Sequence, residues 1–289
     1  MKTPLYRDQS FLDYVTVQEM THPDKLKVFW LGQSGYLISH GATRFLIDPY
    51  LSDTLTRKYA CTAKPHVRVA KRVIDPAALK RISFITSSHN HTDHLDAETI
   101  HAVARVNPGL PLILPAANYD FARERLFGVT QRGGEPAEIP LRLIGCDIHD
   151  PIVIGDVTIT AVPAAHERLE TNVHGEHHFH GYIFTVGQHR IYHSGDCMPY
   201  DTLADHVKRY EPTIALLPIN GADPARGVAG NFSGEQAAFV AKTLEVEVAL
   251  PNHYDMFAFN TADTQPFITT CGALNQPFQI LQLGEALIR

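Results

Sequence analysis

At 289 residues the chain is long enough to bury a substantial core. Its 44% apolar and 19% charged residues suit a soluble enzyme, and a net charge of -6 leaves no electrostatic footprint for nucleic acid or an anionic membrane. No apolar run approaches the roughly 20 residues that cross a bilayer. Met1–Asp8 lacks the apolar stretch of a secretion signal, and four cysteines are scattered without a C-x-x-C pair, so reduced thiols in a cytoplasmic protein are expected.

The chain opens with short β-like runs at Leu26–Leu31, Tyr36–Ile38 and Phe45–Ile47, punctuated by glycines at 32, 35 and 41, the pattern of a strand meander. Residues 50–72 carry charges and Pro65 and read as a loop excursion. Arg81–Thr86 is a predicted buried strand, followed by helical spacing over Leu95–Val103, a strand at Pro111–Leu114 and a helix over Tyr119–Leu126. The second half repeats the style. Val157–Val162 is a strand, Gly181–Val186 and Arg190–Tyr192 form a hairpin turning near Gly187-Gln188, and Ile214–Leu217 and Val246–Leu250 are further strands. Ser233–Lys242 is the clearest helix, with Ser233 as its N-cap. Mixed strands and helices without a linker predict a single domain over 1–289, two sheets packed face to face in two similar halves, about 1–150 and 151–289.

Seventeen histidines outnumber the four methionines, and their position decides what they mean. Three imidazoles and a carboxylate fall within the six residues His89-Asn90-His91-Thr92-Asp93-His94, directly after the apolar run that ends at Thr86. In extended backbone His89 and His91 point to the same side and converge on one ion. A turn beginning near Asp93 then swings Asp93 and His94 towards a second position. Neutral imidazole is the commonest protein metal ligand, so this density reads as metal binding, whereas His174–His180 reads as a surface loop.

The run resembles the H-x-H-x-D-H motif of the metallo-β-lactamase superfamily, and blocks similar to that family's other motifs follow in order. Ala164-Ala165-His166-Glu167, Tyr192-His193-Ser194-Gly195-Asp196 and Pro251-Asn252-His253-Tyr254 each follow a strand, and Phe45-Leu46-Ile47-Asp48-Pro49 precedes them. The resemblance implies an α/β (α+β) fold, a four-layer αββα sandwich. It implies two divalent metal ions per chain, one held by His89, His91 and His166 and one by Asp93, His94 and His253, with Asp196 bridging. Asp48 then holds a ligand imidazole in place. Three protein ligands plus shared oxygens leave each site open for water, as catalysis requires.

Trp30–Ile38, Asp48–Asp53, Leu217–Gly221 and Pro251–Phe257 resemble the L-ascorbate-6-phosphate lactonase group. That resemblance implies a hydrolase in which a metal-bridging hydroxide opens a small sugar lactone, phosphorylated or not, with Asp93 and Asp196 as the catalytic carboxylates. A phosphodiesterase acting on a small or lipid phosphodiester is the alternative, and a metal-binding sensor without turnover is the reading from another class. The ligand set suits manganese or zinc, with iron a third option. The expected partner is a small-molecule substrate, with no nucleic acid or membrane, and the lactonase resemblance suggests a homo-oligomer. The pocket wall is expected near residues 221–231, where Arg226 either grips phosphate or is solvated and Asn231 either binds substrate or begins the helix; Tyr254 is a further substrate-contact candidate, and His193 either sits in the pocket or takes a structural place at the strand end.

Overall fold

The computed structural model describes residues 1–128, 139–148, 150–223 and 230–289. The glycine-punctuated apolar runs of the first fifty residues form β1 (Lys27–Gly32), β2 (Gly35–His40) and β3 (Thr43–Ile47), an antiparallel meander. From β3 the sheet continues in parallel through β4 (Phe84–Thr86), β5 (Leu110–Pro115) and β6 (Leu141–Cys146). The second sheet follows the same plan. β7 (Ile152–Ile154), β8 (Val157–Pro163), β9 (His180–Val186) and β10 (His189–His193) are antiparallel, and β11 (Ile214–Pro218) and β12 (Val248–Asn252) add in parallel. The C-terminal β13 (Ala286–Ile288) returns to pair with β1 in the first sheet. The strand orders are β13-β1-β2-β3-β4-β5-β6 and β12-β11-β10-β9-β8-β7. Strands buried on both faces read as continuous apolar runs, as β11 and β12 do.

The sheets meet through aromatic side chains. Phe45 of β3 stacks on Phe84 of β4 at 4.6 Å and meets Phe184 of β9 across the interface at 5.2 Å. Each such fully buried ring contributes about 1.5–3 kcal/mol by leaving water. Outside the first sheet lie α1 (Gln9–Thr21), α3 (Ala97–Val106) and α4 (Tyr119–Phe127), with Phe11 and Tyr14 of α1 edge-on to Phe29 of β1. The short α2 (Thr54–Lys58) lies between them in the chain. Outside the second sheet, α5 (Leu203–Lys208) packs on β8, α6 (Gly234–Thr243) on β11 and β12, and α7 (Gln265–Leu274) on α6. Helices, sheet, sheet and helices make the four-layer αββα sandwich that the sequence predicts. Among the described residues no helix is long and apolar enough to cross a membrane.

Local chemistry sets the element ends. Ser233 caps α6 by accepting from Gln236 N, and the Gln236 side chain accepts from Ser233 N in return. Asp96 caps α3 by accepting from Thr99 N, so this helix starts two residues after the predicted position at Leu95. The predicted strand over Arg81–Thr86 shortens to β4 because Arg81 adopts a left-handed φ of 61° and breaks the extension. The excursion at 50–72 contains α2 and is pinned by isolated bridges between Lys2 and Ala70 and between Arg68 and Phe257. It forms one wall of the cleft described next.

Candidate metal centre

Every residue of the centre is delivered by the C-terminal end of a strand. Asp48 follows β3, His89 to His94 follow β4, His166 follows β8, Asp196 follows β10 and His253 follows β12. His89 and His91 converge for a different reason from the one the sequence suggests. Residues 88–95 are bends and turns rather than extended chain, and Leu95 N donates to His91 O at 2.8 Å. The turn therefore begins at His91, and it directs His91 to one donor set and Asp93 and His94 to the other.

Two sets of donor atoms result. His89, His91, His166 and Asp196 form one, and Asp93, His94 and His253 the other, each with its ligand atoms within 4.8 Å of one another. Asp196 stands between them. Its Oδ1 lies 3.3 Å from His94 Nε2 and 3.1 Å from His253 Nε2, and its Oδ2 lies 3.8 Å from His166 Nε2. The Nε2 atoms of His89, His94 and His253 and Oδ1 of Asp196 are buried and make no hydrogen bond among the described residues. Orphaned buried polar atoms cost about 1–3 kcal/mol each, and here they converge instead of being dispersed. This donor chemistry fits divalent metal.

The surroundings orient the rings. His94 Nδ1 lies 2.6 Å from Asp48 Oδ2, His89 Nδ1 lies 3.0 Å from Ser88 Oγ, and His166 Nδ1 lies 2.8 Å from Gly230 O. With Nδ1–H donated to these acceptors, each ring turns the Nε2 lone pair inward. Ser88 itself donates through N and Oγ to the two oxygens of Asp48, at 2.8 and 2.5 Å. Phe179 backs the first set, with its ring 5.2 Å from His89 and 5.4 Å from His166.

Electrostatics separate the two sets. Burial, with help from neighbouring imidazoles, holds His89 well below the usual histidine range and lowers His91 to about 4, so both present free lone pairs. His94 moves the other way. Burial opposes its charge, but Asp196, Asp93 and Asp48 outweigh that and raise it. Burial likewise works against the charge of Asp196 and Asp93, yet His94 and His253 keep both below the usual carboxylate range. The anionic pair thus demands a nearby positive charge, which a proton on His94 or a metal cation can supply.

The centre opens on a cleft of about 390 Å³ whose floor includes His91, Asp93, His166 and Asp196. Lys58, Lys64 and Arg125 stand on its walls with the rings of Tyr59, Phe121 and Phe259. Arg125 is held by Asn90 O at 2.6 Å and lies over the Phe121 ring at 4.4 Å. Lys58 Nζ donates to Thr92 Oγ1 at 3.3 Å. Asn231 lines the cleft as the sequence suggests and donates to Asn220 Oδ1 at 2.9 Å, while Asn220 donates to Asn260 Oδ1 at 2.6 Å. Arg226 lies outside the described residues.

Tyr254 is corrected as a substrate-contact candidate, and His193 takes the structural place at a strand end. Tyr254 donates its hydroxyl to Leu281 O, packs on Trp30 at 4.3 Å, and borders a separate depression beside Lys2. His193 is wholly buried, with Nε2 donating to Ser34 O at 3.1 Å and Nδ1 accepting from Gly195 N at 3.3 Å. Both its nitrogens are used by the main chain, so it braces the strand end. Lys58, Lys64 and Arg125 went unrecognised in the sequence, because isolated basic residues carry no local motif.

The comparisons with known proteins agree with this geometry. The model of the "Beta-lactamase superfamily domain" family matches residues 43–254. A "UPF0173 metal-dependent hydrolase" of Aeropyrum pernix is 25% identical over 267 residues, 90% of this chain and 96% of that one. A "Probable L-ascorbate-6-phosphate lactonase UlaG" of Salmonella heidelberg is 24% identical over 280 residues, 89% of this chain and 77% of that one. Among solved structures, Igni18, a metallo hydrolase of Ignicoccus hospitalis, superposes with a TM-score of 0.62 at 22% identity, covering 92% of this chain and 98% of its own. With its fold, its paired donor sets and a family match over most of its length, the chain belongs to the β-lactamase superfamily domain family as a metal-dependent hydrolase.

Proposed function

We propose that the chain opens a small sugar lactone, with or without a phosphate, at a binuclear centre of manganese or zinc, with iron a third option. One observation carries this reading: Asp196 faces both donor sets on the floor of a cleft walled by Lys58, Lys64 and Arg125. His89, His91 and His166 would hold one ion, Asp93, His94 and His253 the other, and Asp196 both. When bound, such a pair activates water near neutral pH and polarises the oxygen of the bond under attack.

The chain's own groups do the rest. The basic side chains attract an anionic substrate into the cleft, against the net negative charge of the protein. The amide series of Asn231, Asn220 and Asn260 offers donors and acceptors to substrate hydroxyls. As the attacking oxygen bonds to the acyl carbon and the ring C–O bond breaks, Asp93 takes the proton released by the water and hands it to the departing oxygen. The position of Asp93 on the cleft floor supports this role. The relative named as a probable lactonase supports the choice of substrate.

A phosphodiesterase is the second reading, because the same three cations suit a phosphodiester. Rates on a panel of aldonolactones, with and without a terminal phosphate, measured beside bis(p-nitrophenyl) phosphate, separate the two. The lactones are expected to turn over faster on protein whose metal content is known from elemental analysis. Phosphodiester cleavage without lactone opening would replace the first reading with the second.

A further inference from the structure

Gln33 lies in the turn between β1 and β2, buried and in a left-handed conformation with φ 47°. Its carbonyl accepts from Trp30 Nε1 at 2.9 Å and from His253 N at 3.3 Å, so the main chain fixes it against His253. Its side-chain Nε2 lies 3.3 Å from Asp93 Oδ2 and 3.3 Å from His253 Nδ1, while its Oε1 is buried with no partner among the described residues. Of the four buried imidazoles in the two donor sets, His89, His94 and His166 present Nδ1 to an acceptor, and His253 meets an amide donor.

That difference has a chemical consequence. An Nδ1 that accepts from Gln33 leaves the imidazole proton on Nε2, the atom that faces Asp196. A proton there blocks Nε2 as a metal ligand. Rotating the Gln33 amide by half a turn exchanges its two ends within the same volume. Oε1 then accepts from His253 Nδ1–H, the Nε2 lone pair of His253 turns free, and Asp93 Oδ2 loses its amide partner and becomes available as a donor. In either orientation the end of the amide turned away from Asp93 and His253 has no partner among the described residues, so it is the two groups it faces that set its orientation.

We propose that Gln33 is a positioning residue for the second ion, its amide oxygen accepting from His253 Nδ1–H so that the Nε2 lone pair of His253 is free for that ion. The inference rests on the reading that Asp93, His94 and His253 hold an ion. The first site is served by Ser88 and Gly230 and does not use Gln33.

The test is a competition titration of Zn2+ against a chromophoric chelator, using wild type, Gln33→Met and Gln33→Glu. Met keeps the length and removes the hydrogen bonds; Glu can only accept. Wild type is expected to take two ions. Gln33→Met should weaken the second ion about 10–100-fold and leave the first unchanged, which also shows that the variant is folded. Gln33→Glu should hold the second ion more tightly than Gln33→Met. Long-range 1H–15N correlation on the zinc-loaded wild type should find His253 protonated at Nδ1. Wild-type constants in Gln33→Met, or equal weakening in both variants, would overturn the role of Gln33 with the centre intact. A wild type that takes a single ion would overturn the binuclear reading and this inference together.

Discussion

Asp48 Oδ2 lies 2.6 Å from His94 Nδ1, and neither side chain reaches solvent. The same carboxylate accepts from Ser88 N and Ser88 Oγ, so every partner around it is a donor. An asparagine cannot satisfy that arrangement. One of its ends must present N–H groups either to Ser88 N or to His94 Nδ1, and in the second case the imidazole proton moves to Nε2. Asp48→Asn should therefore weaken metal binding about 10–100-fold without unfolding the protein. Chelator competition measures this, and a wild-type affinity would show that Asp48 does not orient His94.

Asp196 is the residue that ties the two donor sets together, and its removal should act on both. Without metal the buried carboxylates and imidazoles have each other alone; with metal at about 100 times its Kd the fold gains about 2.7 kcal/mol by linkage. At about 2–4 °C per kcal/mol for a domain of this size, chelation should lower the wild-type Tm by about 5–10 °C. In Asp196→Ala the chelator should shift Tm little, and hydrolysis should be lost. An active Asp196→Ala protein carrying two ions would remove the bridge from the scheme.

Much of this was legible in the sequence, because the informative residues sit next to each other or at the ends of apolar runs. His89 to His94 reveal themselves by density, and β1, β2 and β3 by glycines between short apolar stretches. Helix α1 escaped because only Phe11 and Val15 of its thirteen residues are buried, too few to set a helical period. Strand β6 is half-buried at three of its six residues, exposed at two and buried at Cys146 alone, which blurs the alternation. His166 follows a strand and His193 ends one, and the partner atoms, Gly230 O for the first and Ser34 O for the second, separate an inward-facing ring from a brace. The cleft wall was illegible for a related reason: Lys58, Arg125 and Asn220 come from three separate elements and meet only through tertiary packing.

Gly195 precedes Asp196 with φ 58°, and a Cβ there would lie 2.6 Å from His180 O and 2.8 Å from Ser88 Cβ. Both are fixed, since His180 N donates back to Ser88 O and Ser88 holds Asp48. Gly195→Ala combines a left-handed backbone with a steric clash and should cost about 2–4 kcal/mol. Urea unfolding in chelator reads this directly. A loss under about 0.5 kcal/mol, the range of an ordinary surface substitution, would mean that the turn relaxes.

Lys58 reaches the cleft from α2 with Thr92 Oγ1 as its one hydrogen-bond partner among the described residues. For a phosphorylated lactone, Lys58→Ala should raise KM about tenfold, equivalent to about 1.4 kcal/mol, and leave kcat near wild type. For the unphosphorylated lactone the change should be small. Added salt should narrow the gap between wild type and variant by screening the charge. Equal effects on both substrates would show that Lys58 supports the loop at Thr92 instead of the anion.

Glu19 of α1 supplies a pH-dependent contribution far from the centre. It accepts from Ser39 Oγ at 2.6 Å and Arg44 Nε at 2.5 Å, with Arg81 Nη2 at 3.5 Å. Burial pushes its carboxyl up, but the hydrogen bonds from Arg44 and Ser39 outweigh it and hold the group below 4.5. A folded-state value below the unfolded one means that the stabilisation is complete above the unfolded value and disappears as pH falls through the folded one. Glu19→Gln should then be about 1–2 kcal/mol less stable than wild type at pH 7. The gap should close as pH falls below 4.5 and the wild-type carboxyl takes up its proton. Urea unfolding of both proteins in chelator at several pH values measures it. A gap that stayed constant down to acid pH would assign the loss to packing and not to the charge of Glu19.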